Sequence, residues 1–181
     1  MCSFERLSSR PLMFAVIFAV TATSAARAKD EATVPGLDVI VKSREIAKSS
    51  VIDVKSKYKP TDSQYLNARK LYIEARGAFQ AWTSQLRVAV IAGKVKDLRA
   101  DDRFKKLGED AQAAAKVFTD YVEQSGSTLT RGSVPSGAAT GIPDAGLRIW
   151  NGMKDLHSKE RQKLADFIWR EARWESWEEI E

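Results

Sequence analysis

The stretch that decides the fold is Asp62 to Ala92, DSQYLNARKLYIEARGAFQAWTSQLRVAVIA. Within it Tyr65, Ala68, Tyr72, Ala75, Phe79, Trp82, Leu86 and Ala89 follow one another at alternating steps of three and four residues. That spacing is a heptad seam, which keeps apolar side chains on one face of an α-helix. At 1.5 Å per residue the helix would be about 46 Å long, and Gly93 is a natural stop. Thr61 followed by Gln64 has the form of a capping box at its start. Rings at this spacing more often fill a core than line a cofactor site.

Working outward, Ile40, Ala47, Val51, Val54 and Tyr58 predict a preceding helix from a cap at Asp38 to the break at Pro60. Downstream, Phe104, Leu107, Ala111, Ala114, Phe118 and Tyr121 repeat the three-and-four seam and stop at Ser125-Gly126. Ser125 to Pro143, SGSTLTRGSVPSGAATGIP, carries no helical period and reads as a tether. A last helix, capped by Asp144, presents Ile149, Trp150, Met153, Leu156, His157, Leu164, Phe167 and Ile168. The fold expected is all-α, a four-helix antiparallel bundle with helices at 38-58, 62-92, 102-125 and 144-179 and a long Gly/Ser/Pro-rich loop before the last.

The ends place the protein in the cell. Arg6 and Arg10 precede an apolar run from Leu12 to Val20, and Ala26-Arg27-Ala28 has the A-x-A form of a signal-peptidase site. Residues 1-28 are read as a cleaved signal peptide, 29-37 as a flexible tail and 38-181 as one domain, giving an exported, periplasmic protein. The apolar run is short for a membrane anchor. Processing leaves 153 residues with 26 basic and 23 acidic side chains, close to balance. Cys2, the one cysteine of the chain, leaves with the signal, so disulfides, thiolate metal sites and thiol nucleophiles are excluded from the mature chain.

The remaining chemistry is sparse. His157 is the one histidine, no serine sits in a G-x-S-x-G elbow, and there is no Glu-x-x-His pair for a di-metal bundle site. Met153 and His157, read as four apart on one helix, project to the same side and cannot take both axial positions of a haem. A half-buried packing role is expected for the histidine. Neighbouring carboxylates such as Glu109-Asp110 and Glu178-Glu179 diverge around a helix and form no acid/base pair. Basic residues are spread among acidic ones, which gives no nucleic-acid footprint. No catalytic, metal or cofactor residue is therefore assigned.

What stands out is the terminus, FIWREARWESWEEIE, from Phe167 to Glu181. Projected as a helix, Trp174 continues the core stripe, while Trp169, Trp177 and Ile180 fall on the opposite side. Arg173 lies four residues from both Trp169 and Trp177, a spacing that permits a cation–π ladder, and Arg170 stands likewise to Trp174. The expected partner-binding set is Trp169, Arg170, Arg173, Trp177 and Ile180, since Trp and Arg dominate binding hot spots. Packing within the chain and contact with a membrane surface are the competing readings, the second disfavoured by Glu171, Glu175, Glu178, Glu179 and Glu181. Those glutamates also sit unfavourably at the negative end of a helix dipole.

Together these features describe an exported helical protein that acts without catalysis by binding another envelope protein, as an adaptor, inhibitor/immunity or scaffold module. A small-ligand or haem carrier using the interior near Tyr72, Phe79, Trp82 and His157 is the alternative, and a cell-wall-active enzyme ranks third. Deleting residues 169 to 181 is expected to leave the bundle folded.

Overall fold

The computed structural model describes residues 34–93, 98, 100–126, 141–153 and 155–181, and these are all-helical, without strands. The signal-peptide segment and most of the Gly/Ser/Pro-rich loop lie outside the described residues. Five helices follow one another: α1 Leu37–Lys57, α2 Ser63–Ala92, α3 Asp102–Gln124, α4 Ile142–Met153 and α5 Ser158–Ala172.

The α2 seam forms as its spacing requires. Ala68, Tyr72, Ala75, Phe79, Trp82 and Leu86 are buried, and the helix ends on Gly93 in the left-handed region at φ 65°. Its start differs. The Thr61–Gln64 box does not form: Asp62 is the N-cap, its carboxylate accepts from Lys59 N at 2.8 Å, and Gln64 Oε1 accepts from the neighbouring Ser63 hydroxyl at 3.1 Å. The shorter, charged acceptor one residue on wins the turn after Pro60.

Gly36, not Asp38, precedes α1, at φ 98°. A Cβ there would lie 2.6 Å from the Ala145 carbonyl oxygen, and one on Gly152 would lie 2.8 Å from Pro35 Cδ. Val34 to Leu37, read as the end of a flexible tail, is thus pressed onto α4. Asp38 is left exposed in the first turn, 3.5 Å from Lys42.

In α3, Asp101 is the N-cap, its Oδ1 accepting from Arg103 N and Phe104 N at 2.9 and 3.2 Å. The buried stripe runs Phe104, Gly108, Ala111, Ala115, Phe118, Val122, rotated slightly from the expected seam, with Leu107, Ala114 and Tyr121 at its margin. Gly108 explains the rotation. A Cβ there would come within 3.3 Å of Trp82 Nε1 and 3.2 Å of Pro143 Cα, so the helix turns its smallest residue toward the α2 tryptophan.

The expected fourth helix, 144-179, is two shorter helices. The first begins at Ile142, so Asp144 lies inside its first turn and is not a cap. The chain breaks after Met153, and His157 restarts it: His157 N donates to Glu160 Oε2 at 2.9 Å, while Arg161 N takes the His157 carbonyl. A reciprocal Glu three residues on is the local start signal that the continuous apolar stripe concealed. His157 is accordingly exposed, where partial burial was expected, and no longer shares a helix with Met153. Helix α5 ends at Ala172, and residues 173–181 continue without α-helix. In the assembled core α2 is central, packed chiefly against α3 and α5.

Candidate functional site

The terminal segment folds back over α1 and α2, and each level of its structure follows from the preceding one. A helix carried to residue 179 would gather four glutamates, Glu171, Glu175, Glu178 and Glu179, toward its negative end. Instead the backbone turns at Arg173 (φ −76°, ψ 87°), and the acids reach cations on neighbouring helices. Arg44 of α1 lies 3.1 Å from Glu171 and 2.8 Å from Glu175, Lys48 reaches Glu175 at 3.5 Å, and Arg69 of α2 lies 2.6 Å from Glu178.

Leaving the helix exposes main-chain carbonyls, and side chains of α1 and α2 take them up. Arg76 Nε donates to Trp174 O at 2.9 Å, the Tyr72 hydroxyl to Glu175 O at 2.7 Å, and Lys55 Nζ to Ile180 O. Ser176 and Glu179 close a single turn between them, with Ser176 N donating to Glu179 Oε2 at 2.7 Å and Glu179 N to the Ser176 carbonyl at 3.1 Å.

With its polar groups met, the segment buries its rings. Trp174 stacks on Phe79 with centroids 4.9 Å apart and on Tyr72 at 5.9 Å. Trp177 meets Tyr65 and Tyr72 edge-on at 5.3 and 5.6 Å, and its Nε1 donates to the Tyr65 hydroxyl at 2.8 Å. Trp177 is 2 % exposed and Ile180 1 %, so both have intramolecular homes. This corrects the helical projection, which had left them on an outer face: once the chain leaves the helix at Ala172, a 100° step no longer describes which side chains turn inward.

Trp169 alone of the three terminal tryptophans stays out, 54 % exposed on α5. The expected ladder on Arg173 is absent. The guanidinium over its ring is that of Arg87, from α2, with its Cζ 5.0 Å from the ring centroid, and Asp166 lies 3.8 Å from the same group. Arg87 was out of reach of the sequence because the contact joins residues on different helices. Arg170 sits over Phe167 at 5.3 Å rather than by Trp174, and its Nε donates to Glu171 at 3.0 Å. Arg173 is exposed and, with Trp169, Ala172, Gln80, Thr83 and Ser84, lines an open recess of about 170 Å³. The five residues expected to act together are therefore divided: Trp169, Arg170 and Arg173 outside, Trp177 and Ile180 within.

The electrostatics follow the contacts. The Arg44 hydrogen bond holds the Glu175 carboxyl down to about 2, against burial, which pulls it up. Arg69 lowers Glu178, and hydrogen bonds from Ser176 lower Glu179. Burial pushes the Tyr72 hydroxyl well above its ordinary range, keeping it a donor. Because the folded-state value of Glu175 is depressed, its contribution is complete above the ordinary value of 4.5 and is lost as pH falls toward 2. Wild type is expected to exceed Glu175→Gln in stability by about 1 to 2 kcal/mol at pH 7, solvent screening trimming the full linkage value. The two should converge near pH 2, as read by urea titration across that range.

The interior near Tyr72, Phe79 and Trp82, considered as a ligand space, is filled by these rings together with Trp174, Phe118 and Phe104. Among the described residues no group of three or more His, Cys, Asp or Glu could hold a metal ion, and no helix is long and apolar enough to cross a membrane. No protein-family model matches the chain, and neither the curated proteins nor the solved structures provide a match.

Proposed function

We propose that the protein is an exported, periplasmic module that works without catalysis, by binding another protein of the cell envelope. In this reading α4 and α5 together stand in for the fourth helix of an antiparallel bundle, and the long loop joins them to α3. The observation that carries the reading is Trp169: a large side chain left half in water beside an open recess, in a chain that buries its neighbours Trp174 and Trp177. An indole held by the Arg87 guanidinium is rigid and amphipathic, the character of an interface anchor. Arg173 and Arg170 border it as polar rim. Adaptor, inhibitor/immunity and scaffold roles all use such a surface.

The test is capture from envelope extract by immobilised mature protein, wild type beside Trp169→Ala and Arg173→Ala. A partner retained by wild type should be lost from Trp169→Ala, with affinity reduced at least 30-fold for a hot spot of about 2 kcal/mol or more. Equal retention of that partner by Trp169→Ala would remove the reading.

A further inference from the structure

With Trp169 as the anchor proposed above, the recess beside it defines what the partner presents. Its volume, about 170 Å³, is well under the roughly 300 to 1,000 Å³ of small-molecule sites. That is room for about one apolar side chain, against Trp169, Ala172 and Thr83. Arg173 is the distinctive member of the lining. It is exposed, and among the described residues its guanidinium donates no hydrogen bond and closes no ion pair. The neighbouring arginines are engaged: Arg87 by Trp169 and Asp166, Arg76 by the Trp174 carbonyl, Arg170 by Glu171. Glu179, the acid that feels Arg173 through space, has its carboxylate on Ser176 N at 2.7 Å. Gln80 and Ser84, at the same recess, make no side-chain hydrogen bond among the described residues.

The geometry points to an acidic, extended segment of the partner protein as the occupant, with one aliphatic or aromatic side chain in the recess and an Asp or Glu two residues away on Arg173. A guanidinium offers five donors in a planar fork that matches a carboxylate. Residues i and i+2 of an extended chain share a face about 6.5 Å apart, a span that the long arginine side chain bridges. Gln80 and Ser84 then meet the main chain of the segment. The carbonyl end of α5, worth about half a negative charge, opposes an acid here, and the whole unclaimed charge of Arg173 exceeds it. A recess one side chain wide fits a peptide better than a flat anionic bilayer.

Titration of isotope-labelled mature protein tests this, followed by the Trp169 indole and Arg173 side-chain resonances in nitrogen–proton correlation spectra. The probes are end-blocked pentapeptides, Ala-Leu-Ala-X-Ala, with X as Glu, Gln or Lys. Wild type should bind the Glu peptide with Kd on the order of 1 mM. The Gln peptide should bind about threefold to fivefold more weakly, the worth of an exposed ion pair, and the Lys peptide more weakly still. Arg173→Glu should reverse that order, Arg173→Gln should level it, and Trp169→Ala should bind none, each with unchanged circular dichroism. Indifference of wild type to X, an order that survives Arg173→Glu, binding of none of the three, or a response to phosphatidylglycerol vesicles alone would overturn the acidic partner. The reading beneath it falls separately: a Trp169→Ala protein that still captures envelope protein removes the anchor, whereas capture that depends on Trp169, with no preference for Glu, removes only the partner's acidity.

Discussion

Trp177→Ala is expected to destabilise the protein by about 4 kcal/mol, in the range of buried Trp truncations, and to lower its melting temperature by roughly 8 to 16 °C. The side chain lies between the rings of Tyr65 and Tyr72 and donates to the Tyr65 hydroxyl, so removal opens a cavity and strips a hydroxyl of its donor. Trp174→Ala should cost somewhat less. Its indole makes the closer stack, on Phe79, but its buried Nε1 has no hydrogen-bond partner, so truncation also removes an unmet donor. Urea titrations followed by far-ultraviolet circular dichroism would rank the two, and equality with wild type for Trp177→Ala would contradict its placement.

Deletion of residues 173 to 181 is expected to unfold the chain outright. It removes Trp174, Trp177 and Ile180 from the core, leaves Arg69, Tyr72 and Arg76 without the carboxylate and carbonyls they now bind, and leaves Arg44 with Glu171 alone. The two tryptophans alone account for roughly 6 to 10 kcal/mol if taken singly, comparable with the whole stability of a domain this size. This reverses the expectation drawn from the sequence, in which removal of the terminus leaves a folded bundle. Retained helicity and a cooperative melt in the truncated protein would restore that expectation.

The reversal shows where the sequence is legible. The α2 seam was readable because one long helix keeps a single period, and every ring on it turned inward except half-buried Tyr65. The α3 stripe was readable to within one residue per turn. The tally of apolar positions overlooked Gly108, whose lack of a side chain is what lets Trp82 approach. The break between Met153 and Ser158 was hidden by an apolar pattern that continues across it, although His157 and Glu160 carry the local restart.

At the terminus, excess charge at a helix end was visible in the sequence, and the helix ends at Ala172. Where the acids would go was not visible, because Arg44, Lys48 and Arg69 lie more than a hundred residues away in sequence. For the same reason Arg87 could not be foreseen as the cover for Trp169. Periodicity arguments hold while the backbone stays helical, and here it leaves the helix at Ala172.

The central claim is a division of labour among neighbouring tryptophans, Trp177 and Trp174 holding the core and Trp169 facing a partner. Melting and partner capture, run on the same preparations of Trp169→Ala and Trp177→Ala, test it most directly. The account predicts that Trp169→Ala loses about 1 kcal/mol or less, the worth of an exposed cation–π contact, yet no longer captures, whereas Trp177→Ala melts far below wild type. A Trp177→Ala protein that melts like wild type, or a Trp169→Ala protein as unstable as Trp177→Ala is expected to be, would contradict it.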